Sequence, residues 1–477
     1  MRSLLAFTFF CLALGLSAQS DQSKTVLAGL DKATSHYGEL AHKIWGLAEV
    51  GYQEEKSSQL LQDELERAGF TVEHGVADIP TAFVASYGSG QPVIGLLAEF
   101  DALPGVAQEA VPEKKTIDGQ RAGHACGHHL FGTAATAAAI ALKDWLKSSG
   151  GKGTVRVFGT PAEEGGAGKV YMVRAGLFDD VDAVLNWHPS DGNSADAGST
   201  LANKSAKFRF YGVSSHAAAA PQFGRSALDG VEAMNMMVNM MREHVPETTR
   251  IHHVITSGGE APNVVPAFAE VFYYVRHPEM QEVKNIFNRM VKAAEGAALG
   301  TGTTMDFEVI HGSFNLLPNE TLTRVVHQNL ERVGGVTYTA EERAFAEKVS
   351  ATLPKAKQTE LASAEKVRPF SAPKKPYPAS TDVGDVSWAV PTTGLRTATW
   401  VPGTSPHSWQ AVAAGGMSIG TKGMMVAAKT MTLSGIEFFQ RPELLVKAKE
   451  ELDRRRGAGF IYEALLGDRE PPLDYRE

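Results

Sequence analysis

Four apolar runs in this chain have the length of a β-strand, and each is followed within a few residues by side chains that bind metal ions or transfer protons. Helix-like segments lie between the runs, which predicts an α/β sheet with parallel strands. The carboxyl ends of parallel strands meet at one edge of a sheet, so we expect these side chains to share one crevice. The runs and their side chains are residues 93–98 with Glu99 and Asp101, 154–160 with Glu163 and Glu164, 182–187 with His188, and 397–401 with His407.

A second motif, Cys126-Gly127-His128, precedes an alanine-rich segment at residues 133–146 that is predicted to be helical. Thiolate and imidazole are the ligands that a zinc-like ion prefers, and a helix N-terminus also favours a thiolate. We therefore predict that Cys126 and His128 are metal ligands. The residues leave open a cysteine hydrolase in which Cys126 is the nucleophile.

The adjacent pair Glu163 and Glu164 stands in a turn beside two glycines. Two neighbouring carboxylates in a turn point in different directions, so one can bind metal while the other accepts a proton from water. Such a carboxylate acts as a general base and later returns the proton to a leaving amine. This pattern predicts metal-assisted hydrolysis of an amide bond.

Composition limits the classes of protein to consider. The 477 residues are 43% hydrophobic and 21% charged, which is typical of a globular protein with two or more domains. The formal net charge is -8. Because the chain has no basic tract, we expect no nucleic-acid partner.

The N-terminus has the pattern of a secretory signal. Arg2 is followed by an apolar run at residues 4–16 and by small and polar residues at 17–20. This predicts a signal peptide at residues 1–20, export to the periplasm or secretion, and no stable membrane insertion; an uncleaved membrane anchor is the alternative. Cleavage would remove Cys11 and leave Cys126 without a disulfide partner, which favours metal binding by its thiol.

Residues 199–313 have a different pattern from the rest of the chain. Alternating strand-like runs and two helical segments occur there in the order β-α-β-β-α-β, which predicts a ferredoxin-like α+β sandwich. We predict that this unit is inserted into a larger catalytic α/β domain formed by residues 21–198 and 314–477.

The last part of the chain gives weaker patterns. A helix is predicted up to residue 333, then a helix and an extended surface loop between residues 339 and 378. Residues 380–387 resemble a helix cap, and their acids are expected to cap that helix or to support metal ligands. A final helix at residues 424–438 and a charged tail complete the prediction.

Four motifs together resemble one known family. They are His-Ala-Cys-Gly-His-His from His124, Thr-Pro-Ala-Glu-Glu-Gly-Gly from Thr160, Ser-Ser-His-Ala-Ala-Ala-Ala-Pro from Ser214, and Pro-His-Ser-Trp from Pro406. The chain is similar to the dinuclear metallopeptidases that include aminoacylases and glutamate carboxypeptidases. It most resembles their amidohydrolase branch, with the B subunits of aminobenzoyl-glutamate hydrolases and the plant indole-acetyl-amino-acid hydrolases. The similarity covers almost the whole mature chain.

The resemblance implies a catalytic α/β domain with a mixed β-sheet flanked by helices, and an inserted lid domain that dimerises. It also implies two divalent metal ions per subunit, with Zn first and Mn as the alternative. In the lid, His216 would stabilise the oxyanion in the neighbouring subunit's site, and Asn263 and Arg276 would contact substrate. The implied roles in the catalytic domain are Glu163 as the base and, as metal ligands, Cys126, His128, Glu164, His188 and His407.

The implied activity is hydrolysis of N-acyl or N-aroyl amino acids, such as aminobenzoyl-glutamate, or of dipeptides. A homodimer is expected, and a second related subunit is an open possibility. Two residues depart from the family pattern: His129 stands where an acid or amide is expected, and Glu99 where distant relatives carry a histidine ligand. A peptidase-like binding protein without hydrolytic activity is the remaining alternative.

Overall fold

Two β-sheets, each with its own hydrophobic core, organise the chain in this computed structural model. The structure describes residues 23–476, so the predicted signal peptide at residues 1–20 lies outside the described residues. Among the helices that the structure describes, none combines the length and the apolar character needed to cross a bilayer.

Twelve strands in the described part of the chain form a six-stranded, a four-stranded and a two-stranded sheet. The strands are β1 (Thr71–His74), β2 (Phe83–Ser89), β3 (Val93–Ala98), β4 (Leu103–Pro104), β5 (Ala122–Gly123), β6 (Gly153–Gly159), β7 (Ala183–Ser190), β8 (Ala202–Tyr211), β9 (Arg250–Ser257), β10 (Phe268–His277), β11 (Thr304–Ser313) and β12 (Thr392–Ala398).

The large sheet has the order β1-β2-β6-β3-β7-β12. The four strands β6, β3, β7 and β12 are parallel, while β1 and β2 are antiparallel. All six residues of β3 are buried, as expected for a parallel strand with helices on both faces. The predicted mixed sheet flanked by helices is confirmed.

Helices of the large unit cover both faces of this sheet. They are Thr34–Leu47, Glu55–Arg67, His128–Ser149, Gly168–Arg174, Glu320–Val333, Ala340–Ala351, Val383–Ala389, Trp409–Gly415, Ser418–Gln440 and Pro442–Arg456, and residues 23–32 are also helical. Small residues let the buried helix His128–Ser149 approach the sheet closely. A Cβ added at Gly132 would lie 2.6 Å from the carbonyl oxygen of Glu99, so this helix fixes the end of β3.

The second sheet has the antiparallel order β11-β8-β10-β9. Helices Ala227–Met241 and Met280–Thr301 pack on one face and bury a separate core that includes Phe208, Val271 and Met290. This is the predicted β-α-β-β-α-β sandwich inserted into the larger unit, and we call it the lid.

Three details of the secondary structure differ from the sequence prediction. The alanine-rich helix begins at His128, five residues before the predicted start, so His128 lies in its first turn. The strand predicted at residues 397–401 lies earlier in the chain: β12 spans Thr392–Ala398, so only residues 397 and 398 belong to both. The predicted charged tail contains the helix Pro442–Arg456, which buries Leu444, Leu445, Ala448 and Leu452 under a charged surface.

Candidate metal centre and active site

The carboxyl ends of β3, β6 and β7 carry most of the predicted functional side chains. Glu99 follows β3, Glu163 and Glu164 follow β6, and His188 lies near the end of β7. His407 arrives on a loop after β12, and its backbone N–H donates to the carbonyl oxygen of Ala125 at 3.0 Å. The crevice predicted from the strand ends is therefore present.

Two overlapping groups of metal-ligand atoms share Cys126. The first group is Cys126, His128 and His188, in which the ligand atoms lie within 4.8 Å of one another. The second is Cys126, Glu164 and His407, which satisfies the same limit. The distances are 3.4 Å from Cys126 Sγ to His188 Nε2 and 3.1 Å from His407 Nε2 to Glu164 Oε1. All five predicted metal ligands thus form one continuous site.

A third group joins Glu99, His128 and Glu163. His128 Nε2 lies 3.1 Å from Glu99 Oε2, and both atoms are buried without a hydrogen-bond partner among the described residues. Glu164 Oε1 is in the same state. Buried polar atoms without partners are costly, and a divalent cation would satisfy all three. The mixture of thiolate, imidazole and carboxylate donors also fits such an ion.

Neighbouring groups orient these ligands. Asp101 Oδ1 lies 2.7 Å from His128 Nδ1, and its Oδ2 accepts the backbone N–H of Glu164 at 2.9 Å. His188 Nδ1 lies 2.7 Å from the carbonyl oxygen of Pro189. Each of these contacts leaves Nε2 of the imidazole facing the other ligands, which is how a histidine is usually prepared to bind metal.

A buried lysine supports Glu99. Lys169 Nζ is 2.7 Å from Glu99 Oε1 and 2.8 Å from Asp382 Oδ1, and all three side chains are excluded from solvent. Asp382 is the N-cap residue directly before the helix Val383–Ala389, but its side chain forms no capping hydrogen bond. Burial alone would lower the pKa of Lys169, but the Asp382 and Glu99 carboxylates outweigh burial, so the pKa is raised. Lys169 therefore stays charged and holds Glu99 beside His128.

Burial and neighbouring charges shift the pKa of Glu163 and of two histidines at the site. Burial, followed by the negative charges of Glu99 and Glu164, raises the pKa of Glu163 well above its ordinary value. Burial and the nearby Arg396 lower the pKa of His188, which keeps its imidazole neutral and able to bind metal. The adjacent Glu164 carboxylate raises the pKa of His407.

His129, the unexpected residue after the Cys-Gly-His motif, belongs to none of the three groups within the described residues. Its ring packs 4.8 Å from that of His124, and its Nε2 lies 3.1 Å from the carbonyl oxygen of Gly415. Burial lowers its pKa well below the ordinary value. His129 is therefore a neutral packing residue behind the site, not a ligand.

A cavity of about 320 Å³ opens beside the ligand groups and contains Cys126, Glu163, Glu164, His188 and His407 in its lining. Arg396 lines the same cavity from β12, where it is the register partner of His188 on β7. Its guanidinium lies 5.6 Å from the ring centre of Tyr377. In the part of the chain that the structure describes, the Arg396 side chain forms no hydrogen bond or ion pair.

The predicted lid residues lie outside this cavity. His216 and Asn263 are exposed neighbours on lid loops: His216 bridges to Val264, and the carbonyl oxygen of Asn263 accepts the N–H of Ala217 at 3.0 Å. Arg276 is half-buried on β10, 5.6 Å from the ring centre of Tyr274, and lines a separate cavity. One chain therefore does not bring these three residues to its own metal-ligand groups.

Sequence reasoning missed several residues at the site. Asp101 was recognised as an acid at a strand end but received no role, although it contacts both His128 and Glu164. Lys169 gave no signal, because an isolated lysine in a helix is usually exposed. Arg396 directly precedes the run 397–401, and its position beside His188 depends on strand register.

Comparison with known proteins places the chain in a family. The model of Peptidase family M20/M25/M40 matches residues 95–408. The B subunit of the p-aminobenzoyl-glutamate hydrolase of Escherichia coli (strain K12) is 44% identical over 439 residues, which cover 87% of this chain and 91% of that protein. The chain belongs to the M20/M25/M40 peptidase family.

Two further comparisons agree with the family and the fold. The mouse (Mus musculus) Xaa-Arg dipeptidase is 30% identical and covers 88% of this chain and 90% of its own length. A crystal structure of a dinuclear metal binding peptidase of the M20 family from Bacillus subtilis shares the fold, with a TM-score of 0.60, 17% identity, and 86% of this chain and 99% of that chain covered.

Membership of this family makes the chain a metal-dependent hydrolase of amide or peptide bonds. The alternatives of a cysteine hydrolase and of a binding protein without hydrolytic activity are therefore set aside. Cys126 itself is buried, and burial raises the pKa of its thiol, so a nearby cation is needed to favour the thiolate.

Proposed function

We propose that this family member hydrolyses the amide bond of N-acyl or N-aroyl amino acids whose amino-acid half carries a second carboxylate, with aminobenzoyl-glutamate as the leading substrate and dipeptides as the alternative. One observation supports this most: the cavity that contains the ligand groups also contains Arg396, a guanidinium with no carboxylate partner in the described chain. Guanidinium binds carboxylate through two parallel hydrogen bonds. The name of the E. coli relative agrees with a glutamate conjugate, and the name of the mouse relative, an Xaa-Arg dipeptidase, agrees with the dipeptide alternative.

The proposed cofactor is a pair of divalent ions per subunit. Cys126, His128 and His188 would hold one ion, and Cys126, Glu164 and His407 the other. A thiolate and three imidazoles among five ligands favour zinc, with manganese as the alternative. When bound, such ions lower the pKa of water and polarise the amide carbonyl.

Glu163 is the proposed general base. Its carboxylate lies in the third ligand group without an ion pair among the described residues, so it is free to accept a proton from the attacking water. The proton then passes from Glu163 to the amine nitrogen as the amide bond breaks. The raised pKa of the Glu163 carboxyl suits both the uptake of the proton from water and its delivery to the amine, because a carboxyl group of low pKa would not hold the proton between the two steps.

The lid is proposed to complete the site from a second subunit. His216 would stabilise the oxyanion of the partner's site, and Asn263 and Arg276 would contact the substrate there. Strand β9 supports a lid interface, since it is one of the two edge strands of its sheet and exposes Val254 and Ile255. Exposed apolar edge strands are usually covered by another chain.

We further propose a homodimer in an exported location. The relative from E. coli is named as one subunit of its hydrolase, so a related second subunit remains a candidate partner. Export rests on the signal pattern at residues 1–20. Mass photometry of the protein alone and mixed with candidate related subunits would distinguish the two assemblies, and the N-terminal sequence of the mature protein would test the signal.

The decisive experiment is a hydrolysis assay of the mature protein with a matched panel. The panel pairs aminobenzoyl-glutamate with aminobenzoyl-glutamine and aminobenzoyl-alanine, and adds dipeptides with basic and acidic residues. We expect glutamate conjugates to give the highest kcat/KM, with loss of activity after chelation and recovery with added zinc or manganese. Equal rates for glutamate and alanine conjugates would contradict the proposed second carboxylate, and retention of activity after complete metal removal would contradict the mechanism.

A further inference from the structure

The turn that carries Glu163 and Glu164 is held in an unusual backbone conformation. Ala162 and Ala167, which flank it, have φ values of +57° and +59°, and Gly165 within it has +102°. Left-handed conformations are unfavourable for an alanine. Such a turn persists only when surrounding groups hold it, and several of those groups come from the last residues of the described chain.

The segment 460–476, which we call the C-terminal strap, ends on this turn. Tyr475 donates its hydroxyl proton to the carbonyl oxygen of Glu164 at 3.2 Å, and Arg476 donates to the same oxygen at 2.6 Å. The N–H of Glu164 is already held by Asp101 at 2.9 Å. Both peptide groups that flank the Glu164 side chain are therefore fixed by partners distant in sequence.

Tyr475 is itself enclosed. Its ring makes an edge contact with Tyr52 at 5.5 Å between ring centres, and the Tyr52 hydroxyl donates to the carbonyl oxygen of Gly166 at 2.7 Å. A Cβ added at Gly51 would lie 2.1 Å from the Tyr475 hydroxyl. The two tyrosines therefore bind two carbonyl groups of one turn, and Gly51 provides the space for this packing.

The strap is also anchored before it reaches the turn. Arg174 donates to the carbonyl oxygens of Gly467 at 2.9 Å and Arg469 at 2.7 Å. Arg469 in turn binds the carbonyl oxygen of Ile310 and pairs with Glu308 at 3.2 Å, both on strand β11 of the lid. The strap is thus a continuous connection from the lid to the backbone of Glu164.

We propose that Tyr475 and Arg476 are positioning residues for the metal centre: through the carbonyl group of Glu164 they hold its carboxylate toward Cys126 and His407. The inference rests on the proposed function, in which Glu164 is a metal ligand. Metal affinity would then depend on the C-terminal strap, although none of the strap's described residues is a proposed ligand or lines the cavity beside the ligand groups.

The test is the zinc affinity of the full mature protein, measured by competition with a chromophoric chelator, alongside the melting temperature of the metal-free protein. Arg476→Met and the double variant Tyr475→Phe with Arg476→Met should raise the zinc dissociation constant about 10-fold or more, the usual effect of losing a group that orients a ligand. Arg476→Lys, which keeps a donor, should restore most of the affinity. The control is Arg441→Met, because Arg441 is an exposed arginine that pairs only with Glu437 and Glu443 among the described residues.

A merely structural strap would lower the melting temperature of the metal-free protein and leave zinc affinity unchanged, which would overturn the proposal. Glu164→Gln separates this failure from failure of the ligand set. If Glu164→Gln weakens zinc binding but the strap variants do not, the strap inference is wrong and the ligand assignment stands. If Glu164→Gln binds zinc normally, the ligand assignment itself fails.

Discussion

Five carboxylates stand at the ligand groups in the described chain, and four of them are paired with a nitrogen base. Glu99 and Asp382 share Lys169, Asp101 pairs with His128, and Glu164 pairs with His407. Glu163 is the exception among the described residues, since its side chain forms neither an ion pair nor a hydrogen bond. Residues of one chemical type thus differ in function because of their partners.

The unpaired state of Glu163 leads to the first prediction. Glu163→Gln keeps the size of the side chain but cannot accept a proton, so kcat should fall by about 10³-fold, within the usual range for a general base. Metal content, measured by elemental analysis, should stay at the wild-type value because Glu163 is outside the two groups that share Cys126. Turnover within 10-fold of wild type would show that another group takes the proton.

A second prediction concerns Arg396. Arg396→Gln removes the charge while keeping a hydrogen-bonding end, so KM for aminobenzoyl-glutamate should rise roughly 10- to 100-fold, the effect expected from losing a charge-assisted hydrogen bond. Turnover at saturation should change little. KM for the alanine conjugate should hardly change in the same variant.

Arg368→Gln is the matched control for this experiment. Arg368 is an exposed arginine 3.5 Å from Asp191 and does not line the cavity with the ligand groups. It should leave KM for both conjugates unchanged. An equal rise of KM for both conjugates in Arg396→Gln would contradict carboxylate recognition and indicate a general effect on the site.

At the scale of elements, the junction between the lid and the large unit depends on one buried acid. Asp385, in the helix Val383–Ala389, accepts the N–H of Phe314 at 2.9 Å and the hydroxyl of Tyr462 at 2.8 Å. Phe314 directly follows β11, the last lid strand, and Tyr462 belongs to the strap. One carboxyl group therefore connects three elements.

The third prediction is a pH dependence at this junction. Burial raises the pKa of Asp385 from 3.8 to about 7. Between these values the folded state binds more protons than the unfolded state, so the contribution of Asp385 to the free energy of unfolding falls as pH rises from about 4 to about 7 and is constant above. The loss is at most roughly 4 kcal/mol.

The test compares wild type with Asp385→Asn by chemical denaturation across pH 4 to 8. The stability of the variant relative to wild type should increase through this window and level off above it, since asparagine does not ionise. Asp118→Asn changes an exposed aspartate and should run parallel to wild type. A constant difference between Asp385→Asn and wild type would contradict the raised pKa.

At the scale of the whole molecule, the lid presents its predicted functional residues away from its own cavity. His216 and Asn263 are exposed on the lid loops, whereas the ligand groups lie at the edge of the large sheet. An exposed histidine with no contact to the local site is explained if it serves a second copy of the chain.

The fourth prediction uses complementation between two inactive variants. His216→Ala and Glu163→Gln should each be nearly inactive alone. In a mixed dimer, the subunit that keeps Glu163 receives His216 from its partner, so one of the two sites, about half of the wild-type number, should be active in the isolated mixed dimer if the histidine acts across the interface. The measurement is activity after co-expression with two different tags and isolation of the mixed species. No recovery in a verified mixed dimer would place His216 in its own subunit's site.

The strands and their chemistry were accessible from the sequence because both depend on local patterns. The bounds of β3 and β10 follow directly from apolar runs and alternation. The order of elements in the lid follows from the succession of strand-like and helical segments, and the gathering of Glu164 and His188 follows from the rule that parallel strands end at one edge. These inferences need only residue spacing and strand direction.

The groups that tune and hold the site were decided by tertiary structure alone. Lys169 meets Asp382 across 213 residues of sequence, and Arg476 meets Glu164 across 312. Local sequence patterns do not specify such contacts, because lysine, arginine and tyrosine are all common on surfaces. The sequence by itself determined the fold class, the candidate ligands and the candidate base. Packing decided which carboxylates are neutralised, which arginine faces the cavity and what holds the Glu164 turn, because these depend on which side chains meet after the chain has folded.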